Sequence, residues 1–203
     1  SIEPTTIPEE LLALMAEPSH PLMPYLHVPM QSGTDKILKL MRRRYDLDEM
    51  KGFFMQAKQQ IPDLCLGTDL MVGFPNENDN DFAQTCESFM EMPFSYCHVF
   101  TYSERQGTAA SRMVQVPMEE RRARSAHLRR LSASKRMSFH EEQEGREFRV
   151  LLENPKDDKH CGYTDHYLKV FLKEKRDELT NKMVRVKVVE AFPEYVVGDL
   201  ISE

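Results

Sequence analysis

"GTDLMVGFPNE" at residues 67–77 begins as a strand and ends in residues that a strand avoids. Leu66, Leu70, Met71 and Val72 form a short apolar run of the kind buried on both faces of a parallel sheet. Asp69 interrupts that run, and Gly73-Phe74-Pro75 closes it with no hydrogen-bonded continuation. A carboxylate inside a buried strand, then a bare backbone, a ring and a proline at the C-terminal tip, needs a reason beyond chain reversal.

On either side of this stretch the chain repeats a strand-then-helix order. "YLHVPM" (25–30) is short and apolar, and "SGTDKILKLMRRR" after it reads as a helix capped by Ser32 or Thr34. In "DLDEMKGFFMQAKQQ", Asp46 and Glu49 have capping-box spacing, and Leu47, Met50, Phe54 and Ala57 make one apolar stripe. Ile61-Pro62-Asp63 stops that helix. The strand at 64–72 is followed by "NDNDFAQTCESFMEM", where Phe82, Cys86, Phe89 and Met90 recur at helical spacing. A third strand, "SYCHVFTYS" (95–103), leads through "ERQGTAASRMVQVP" into a long basic helix over about 118–141. Alternating strands and helices predict parallel βαβ units, in a barrel or a doubly wound sheet. Beyond Gly145, "REFRVLLE", "YLKVFLK", "MVRVKVVEA" and "YVVGDLIS" predict a small antiparallel barrel or sheet, separate from the first part. The expected division is 1–141 and 146–203.

The chain has 203 residues, 40% hydrophobic and 30% charged, a globular composition with room for two unequal domains. No apolar run approaches the roughly 18 residues that a membrane span needs. The start, Ser1-Ile2-Glu3-Pro4, has neither an initiator methionine nor a signal pattern, and reads as cut from a longer polypeptide. Cys65, Cys86, Cys97 and Cys161 are irregularly spaced, which suits reduced core thiols in a cytoplasmic protein and neither a disulfide framework nor a zinc knuckle. The net charge of −6 argues mildly against a nucleic-acid partner, yet "RRARSAHLRRLSASKR" (121–136) holds seven basic residues and no acidic one. A local stripe of that kind is what binds phosphate.

In a parallel barrel, functional residues gather at the C-terminal strand ends. Here those ends are His27-Val28-Pro29-Met30-Gln31-Ser32-Gly33, Asp69…Gly73-Phe74-Pro75-Asn76-Glu77, and Thr101 to Thr108 with Arg105. Singly, each has a plain structural reading: a cap, a rigid turn, a solvated charge. His27 and His98 in apolar strands read as core histidines. Three polar ends around one rim point to a polar ligand with an aromatic-sized part.

The segments "SIEP", "LHVPMQSGTDKILKLMRRRY", "TDLMVGFPNENDNDF" and "HVFTYSERQGTAA" together resemble the second half of a radical S-adenosylmethionine methylthiotransferase. "TDLMVGFPNENDNDF" is most like the subgroup that acts on N6-threonylcarbamoyladenosine in tRNA; the isopentenyladenosine branch is the near alternative, set apart mainly by "SIEP" and "HVFTYSER". The last 60 residues resemble the small RNA-binding β-barrel called TRAM. Gln31-Ser32-Gly33 differs from the Gln-His-Ala of relatives that modify a ribosomal protein. Two departures stand out: Asn76-Glu77-Asn78 replaces Gly-Glu-Thr, and the three-cysteine cluster motif is absent.

The resemblance implies an α/β fold: the C-terminal part of a partial (β/α) TIM-like barrel, then a small OB-like antiparallel barrel. It implies S-adenosyl-L-methionine near Gln31, Ser32, Asp69, Gly73, Phe74 and Pro75, with Phe74 over the adenine or plugging the rim. Asp69 would find its partner in the cofactor or in a neighbouring basic side chain. Two 4Fe–4S clusters belong to the full-length enzyme, with ligands outside this chain, so the chain alone is expected to be inactive. The partner implied is a tRNA anticodon loop, gripped by Arg105, Arg121, Arg122, Arg124, Arg129 and Arg130, and by Lys169, Lys173, Arg185 and Lys187 in the barrel. Arg124, Arg129 and Arg130 are expected to lack an acid three or four residues away, leaving repulsion that a polyanion relieves. A rival reading is a non-catalytic RNA-binding protein that keeps the scaffold, and an open barrel edge would favour self-association.

Overall fold

The computed structural model describes residues 2–8, 10–17, 19–155, 159–174 and 177–201. It divides into two compact units, one of Ser1–Leu22 with Leu26–Ser132, the other of Met23–Tyr25 with Ala133–Glu203.

The first unit carries a three-stranded sheet in the order β1 (Tyr25–His27), β2 (Cys65–Val72), β3 (Tyr96–Thr101). β2 and β3 pair in parallel with Asp69 opposite His98, and Gln31 bridges Leu70 in the same sense beyond β1. Pro29 has no N–H to give β2. The Thr68 hydroxyl spans the gap, donating to the Val28 carbonyl at 2.8 Å and accepting the Met30 N–H at 2.9 Å.

The helices are α1 (Glu10–Ala16), α2 (Asp35–Leu40), α3 (Leu47–Gln60), α4 (Asp79–Glu91) and α5 (Met118–Glu141). Thr34, not Ser32, caps α2, and Asp46 with Glu49 forms the expected capping box on α3. The core lies on one face of the sheet, where Leu66, Leu70, Val72, Cys97 and Val99 meet Leu12 and Met15 of α1, Met50, Phe54 and Ala57 of α3, Phe89 of α4 and Leu128 of α5. Met90, expected on the apolar stripe of α4, is exposed; Thr85 is buried one turn before Phe89. Helix α1 has no counterpart in the sequence reading. Ser1 lies outside the described residues. Ile2 gives one N–H to the His27 carbonyl at 3.2 Å, and Pro4–Thr6 is a 3-10 turn.

In the second unit, β4 (Glu147–Leu152), β5 (Cys161–Thr164), β6 (Lys169–Leu172), β7 (Met183–Ala191) and β8 (Val196–Leu200) close into a barrel ordered β4-β5-β6-β8-β7. The closure is not wholly antiparallel as expected, because β6 and β8 run in parallel. Strand β5 has no sequence signal: its four residues, Cys-Gly-Tyr-Thr, are too few to show a period. Val150, Leu152, Val170, Leu172, Val186, Val188 and Val196 fill the interior. β-Branched residues dominate it, as suits a pleated half-buried surface.

Candidate functional site

The expected rim residues divide between those that build the strand-end loops and those that remain open. Gln31 adopts a left-handed backbone, φ 71°, held by its own N–H on the Asp69 carbonyl (2.8 Å) and by the Met71 N–H on its carbonyl (2.9 Å). It is half-buried, as is Asp69. Ser32 is fully buried and its hydroxyl accepts from the Thr34 N–H, so as placed it faces the fold. Phe74 plugs the rim instead of lying open for an adenine: its ring meets Tyr102 edge-on at 5.3 Å between centroids and packs with Ile37. Pro75 is buried beside it.

The resemblance has Gly73 letting a cofactor approach the backbone, but the structure gives this glycine another reason. Its φ is 71°, and a Cβ there would stand 2.4 Å from Arg121 Cγ. The space is filled from within by the helix. Asn76 is also left-handed, φ 66°, which suits the position where the resemblance has glycine, since Asn tolerates that region best after Gly. Asn78 caps α4 and shares a capping box with Asp81, the service a threonine at that place would give.

Two buried arginines of α5 explain both loops. Arg124 donates to Glu77 Oε1 (2.8 Å), the Glu77 carbonyl (3.1 Å) and Asp79 Oδ1 (2.8 Å). Glu77 Oε1 also accepts the Gly73 N–H at 2.9 Å. Burial pushes the Glu77 carboxyl up, against the lowering pull of the Gly73 N–H and the Arg124 guanidinium. Arg121 donates to the Val116 and Tyr102 carbonyls (2.7 and 3.2 Å) and pairs with Glu104 at 3.0 Å. The sequence expectation is therefore corrected for these two: Arg121 and Arg124 are 2% and 6% exposed, and they tie down the ends of β2 and β3. The expectation that Arg124 has no acid one turn away also fails, since Glu120 pairs with it at 3.4 Å. Arg129 gives an N–H to the Val99 carbonyl at 2.9 Å and, like Arg105, Arg122 and Arg130, is exposed.

In the second unit, Lys173 pairs with Asp199 at 2.9 Å and Arg185 with Glu147. Lys169 lies 5.1 Å over the Phe171 ring, and Lys187 is exposed.

The face of the sheet turned away from the core carries residues that the sequence reads as plain core histidines. Asp69 Oδ1 accepts from His27 Nε2 at 2.9 Å, so its partner is a neighbouring side chain. His98 stands across from Asp69, its ring 5.3 Å from that of His27. The signal is present in the alternation: His27, Asp69 and His98 occupy positions whose neighbours in each strand point into the core.

Cys65, Cys97 and Cys161 are buried and Cys86 is half-buried, where burial lifts its thiol to about 11. Among the described residues no cysteine joins a metal-sized group of His, Cys, Asp or Glu. An iron–sulfur cluster needs convergent thiolates, and these four do not fit one. No helix among the described residues is long and apolar enough to cross a membrane.

Residues 1–89 match the model of the Radical SAM superfamily. The solved coproporphyrinogen III oxidase of Escherichia coli, described as a radical SAM enzyme, superposes with a TM-score of 0.52 over 81% of this chain and 45% of its own. At 13% identity that likeness speaks for the fold alone. A narrower likeness than that to the superfamily is to the tRNA methylthiotransferases, an enzyme family to which most of the chain is homologous at about a third identity. It is 33% identical to the tRNA-2-methylthio-N6-dimethylallyladenosine synthase of Rickettsia bellii, over 97% of this chain and 45% of that protein. It is 32% identical to the threonylcarbamoyladenosine tRNA methylthiotransferase MtaB of Bacillus subtilis, over 99% of this chain and 46% of that one. The dimethylallyladenosine enzyme of the same bacterium is 33% identical over 98% of the chain and 40% of its own length. The chain thus spans under half the length of these curated relatives.

Proposed function

We propose that the chain is part of a cytoplasmic tRNA-modifying enzyme that places a methylthio group on C2 of N6-threonylcarbamoyladenosine beside the anticodon. The observation that carries this reading is the match to tRNA methylthiotransferases over nearly all of this chain, together with two neighbouring strand ends, those of β2 and β3, fixed by buried arginines. Dimethylallyladenosine enzymes match as well, so the choice of nucleoside rests on "SIEP" and "HVFTYSER".

S-Adenosylmethionine with a reduced cluster would supply the radical that attack on an unactivated C–H bond requires. The part of this chain is positioning. Gln31 and Asp69 keep open surface toward a cofactor; Gly73, Phe74 and Pro75 hold the loop behind them. The cluster thiolates are assigned to the rest of the full-length enzyme. RNA contact is assigned to Arg105, Arg122, Arg129 and Arg130 in the first unit. In the second, read as a TRAM-like barrel, it is assigned to Lys169, Lys173, Arg185 and Lys187, whose cations and rings suit an unstacked loop.

The test is expression of the full-length enzyme in a strain lacking tRNA methylthiotransferases, followed by mass spectrometry of tRNA nucleosides. Methylthio-threonylcarbamoyladenosine is the expected product. Methylthio-isopentenyladenosine would replace this reading with its near relative, and tRNA binding with neither product would favour a non-catalytic RNA-binding protein.

A further inference from the structure

The inner face of the sheet departs from how barrel interiors are filled. Such interiors are packed with branched aliphatic side chains. Here each strand contributes a polar group at the same level: His27 from β1, Asp69 from β2, His98 from β3. Their donor atoms lie within 4.8 Å of one another, with His27 and Asp69 at 2.9 Å.

The surroundings make room for this cluster. Gly67 lies one inward position before Asp69, and a Cβ there would stand 2.7 Å from His27 Nδ1 and 2.7 Å from the Tyr96 ring. The missing side chain is what lets both rings lie across β2. Tyr96 meets His98 edge-on at 5.3 Å between centroids, closing the β3 side. His98 is exposed, so the cluster opens on the side away from the core.

We infer that His27, Asp69 and His98 form a binding site for one divalent first-row transition-metal ion, held by two imidazoles and a carboxylate on the inner face of the sheet. This donor set is the one such ions take when coordination positions are left for water or another oxygen ligand. Metal–ligand bonds of roughly 2.0–2.2 Å place neighbouring donors on the order of 3 Å apart. The His27–Asp69 pair already has that spacing, and the His98 ligand atom lies within 4.8 Å of both. The inference does not depend on the tRNA reading, since no nucleoside or cluster enters it.

The experiment is calorimetric titration of the purified chain with Zn²⁺ alone, and Co²⁺ absorption on the same protein. One ion per chain is expected, with a cobalt spectrum of nitrogen and oxygen ligands. His98→Ala, at an exposed position that leaves the core intact, should weaken uptake by on the order of 100-fold. Gly67→Ala should weaken it without removing a ligand. Absence of uptake by the folded chain overturns the site. So does a thiolate-to-cobalt band, which would put the ion on cysteines, or uptake unchanged in His98→Ala combined with Asp69→Asn.

Discussion

Glu77 is the residue on which the β2 loop turns. Its carboxylate is 2% exposed and meets both Arg124 and the Gly73 N–H, while the Arg124 side chain is 7% exposed. Breaking a buried pair by removing one partner leaves a charge that water cannot reach. Arg124→Met should therefore cost about 3 kcal/mol in denaturant unfolding. Glu77→Gln in the same chain should recover part of the loss, because the amide oxygen can still take the Gly73 N–H and no charge is stranded. Additive losses in that double-mutant cycle would contradict the coupling. His140, in the second unit, offers a pH test. Burial lowers it from its ordinary value of 6.5, the Phe192 carbonyl it contacts at 2.6 Å raises it, and Arg136 lowers it. The neutral ring is thus the form that folding favours. Its contribution is complete above about 6.5 and lost as pH falls through the lower folded value. Thermal midpoints should fall between pH 7.5 and 5, and less steeply in His140→Gln; parallel pH profiles would remove His140 as the cause.

Among the elements, the helices show where sequence reading works. The α3 capping box is legible because cap and partner are three residues apart and need nothing else to form. Asp46→Ala should cost roughly 1 kcal/mol, read as a lower denaturant midpoint with an unchanged slope. Helix α5 is legible as a helix, but not in what its charges do. Helical spacing says which arginines share a face; it does not say that Glu77, Asp79 and Glu104, 15 or more residues away, wait on that face. The local partner Glu120, four residues before Arg124, is the exception that spacing alone can find. The same limit hides His27 and His98: alternation puts them on the inward face, but only sheet order brings them to Asp69. With Arg121 and Arg124 committed to the strand-end loops, the exposed arginines of the α5 segment in the first unit are Arg122, Arg129 and Arg130, and of these Arg129 also holds the Val99 carbonyl. Arg122→Glu with Arg130→Glu should weaken tRNA retention and lower the salt slope by roughly 0.7–0.9 for each phosphate no longer neutralised, with the circular dichroism of the fold preserved. Unchanged affinity and slope would move the RNA surface off this helix.

For the whole molecule, the strand-then-helix alternation from β1 to α5 is legible in the sequence; α1, β5 and what covers the first sheet are not. Parallel sheets occur almost only with both faces covered. One face of this sheet carries the core. On the other, His98 is exposed and Phe100 is 51% exposed at the β3 edge. An exposed apolar ring on a sheet face that the core leaves uncovered favours association. The relatives, more than twice as long as the matched region, have further chain with which to meet such a face. The 203-residue chain by itself has another copy of itself. Light scattering should therefore give a mass above that of the monomer, rising with concentration. Phe100→Glu places a charge on the edge without touching the core, and it should return the mass to that of one chain. A monodisperse monomer at all concentrations, with the wild-type ring still quenchable by solvent-borne probes, would show that the exposed edge is tolerated in isolation and that self-association is not how this chain covers its sheet.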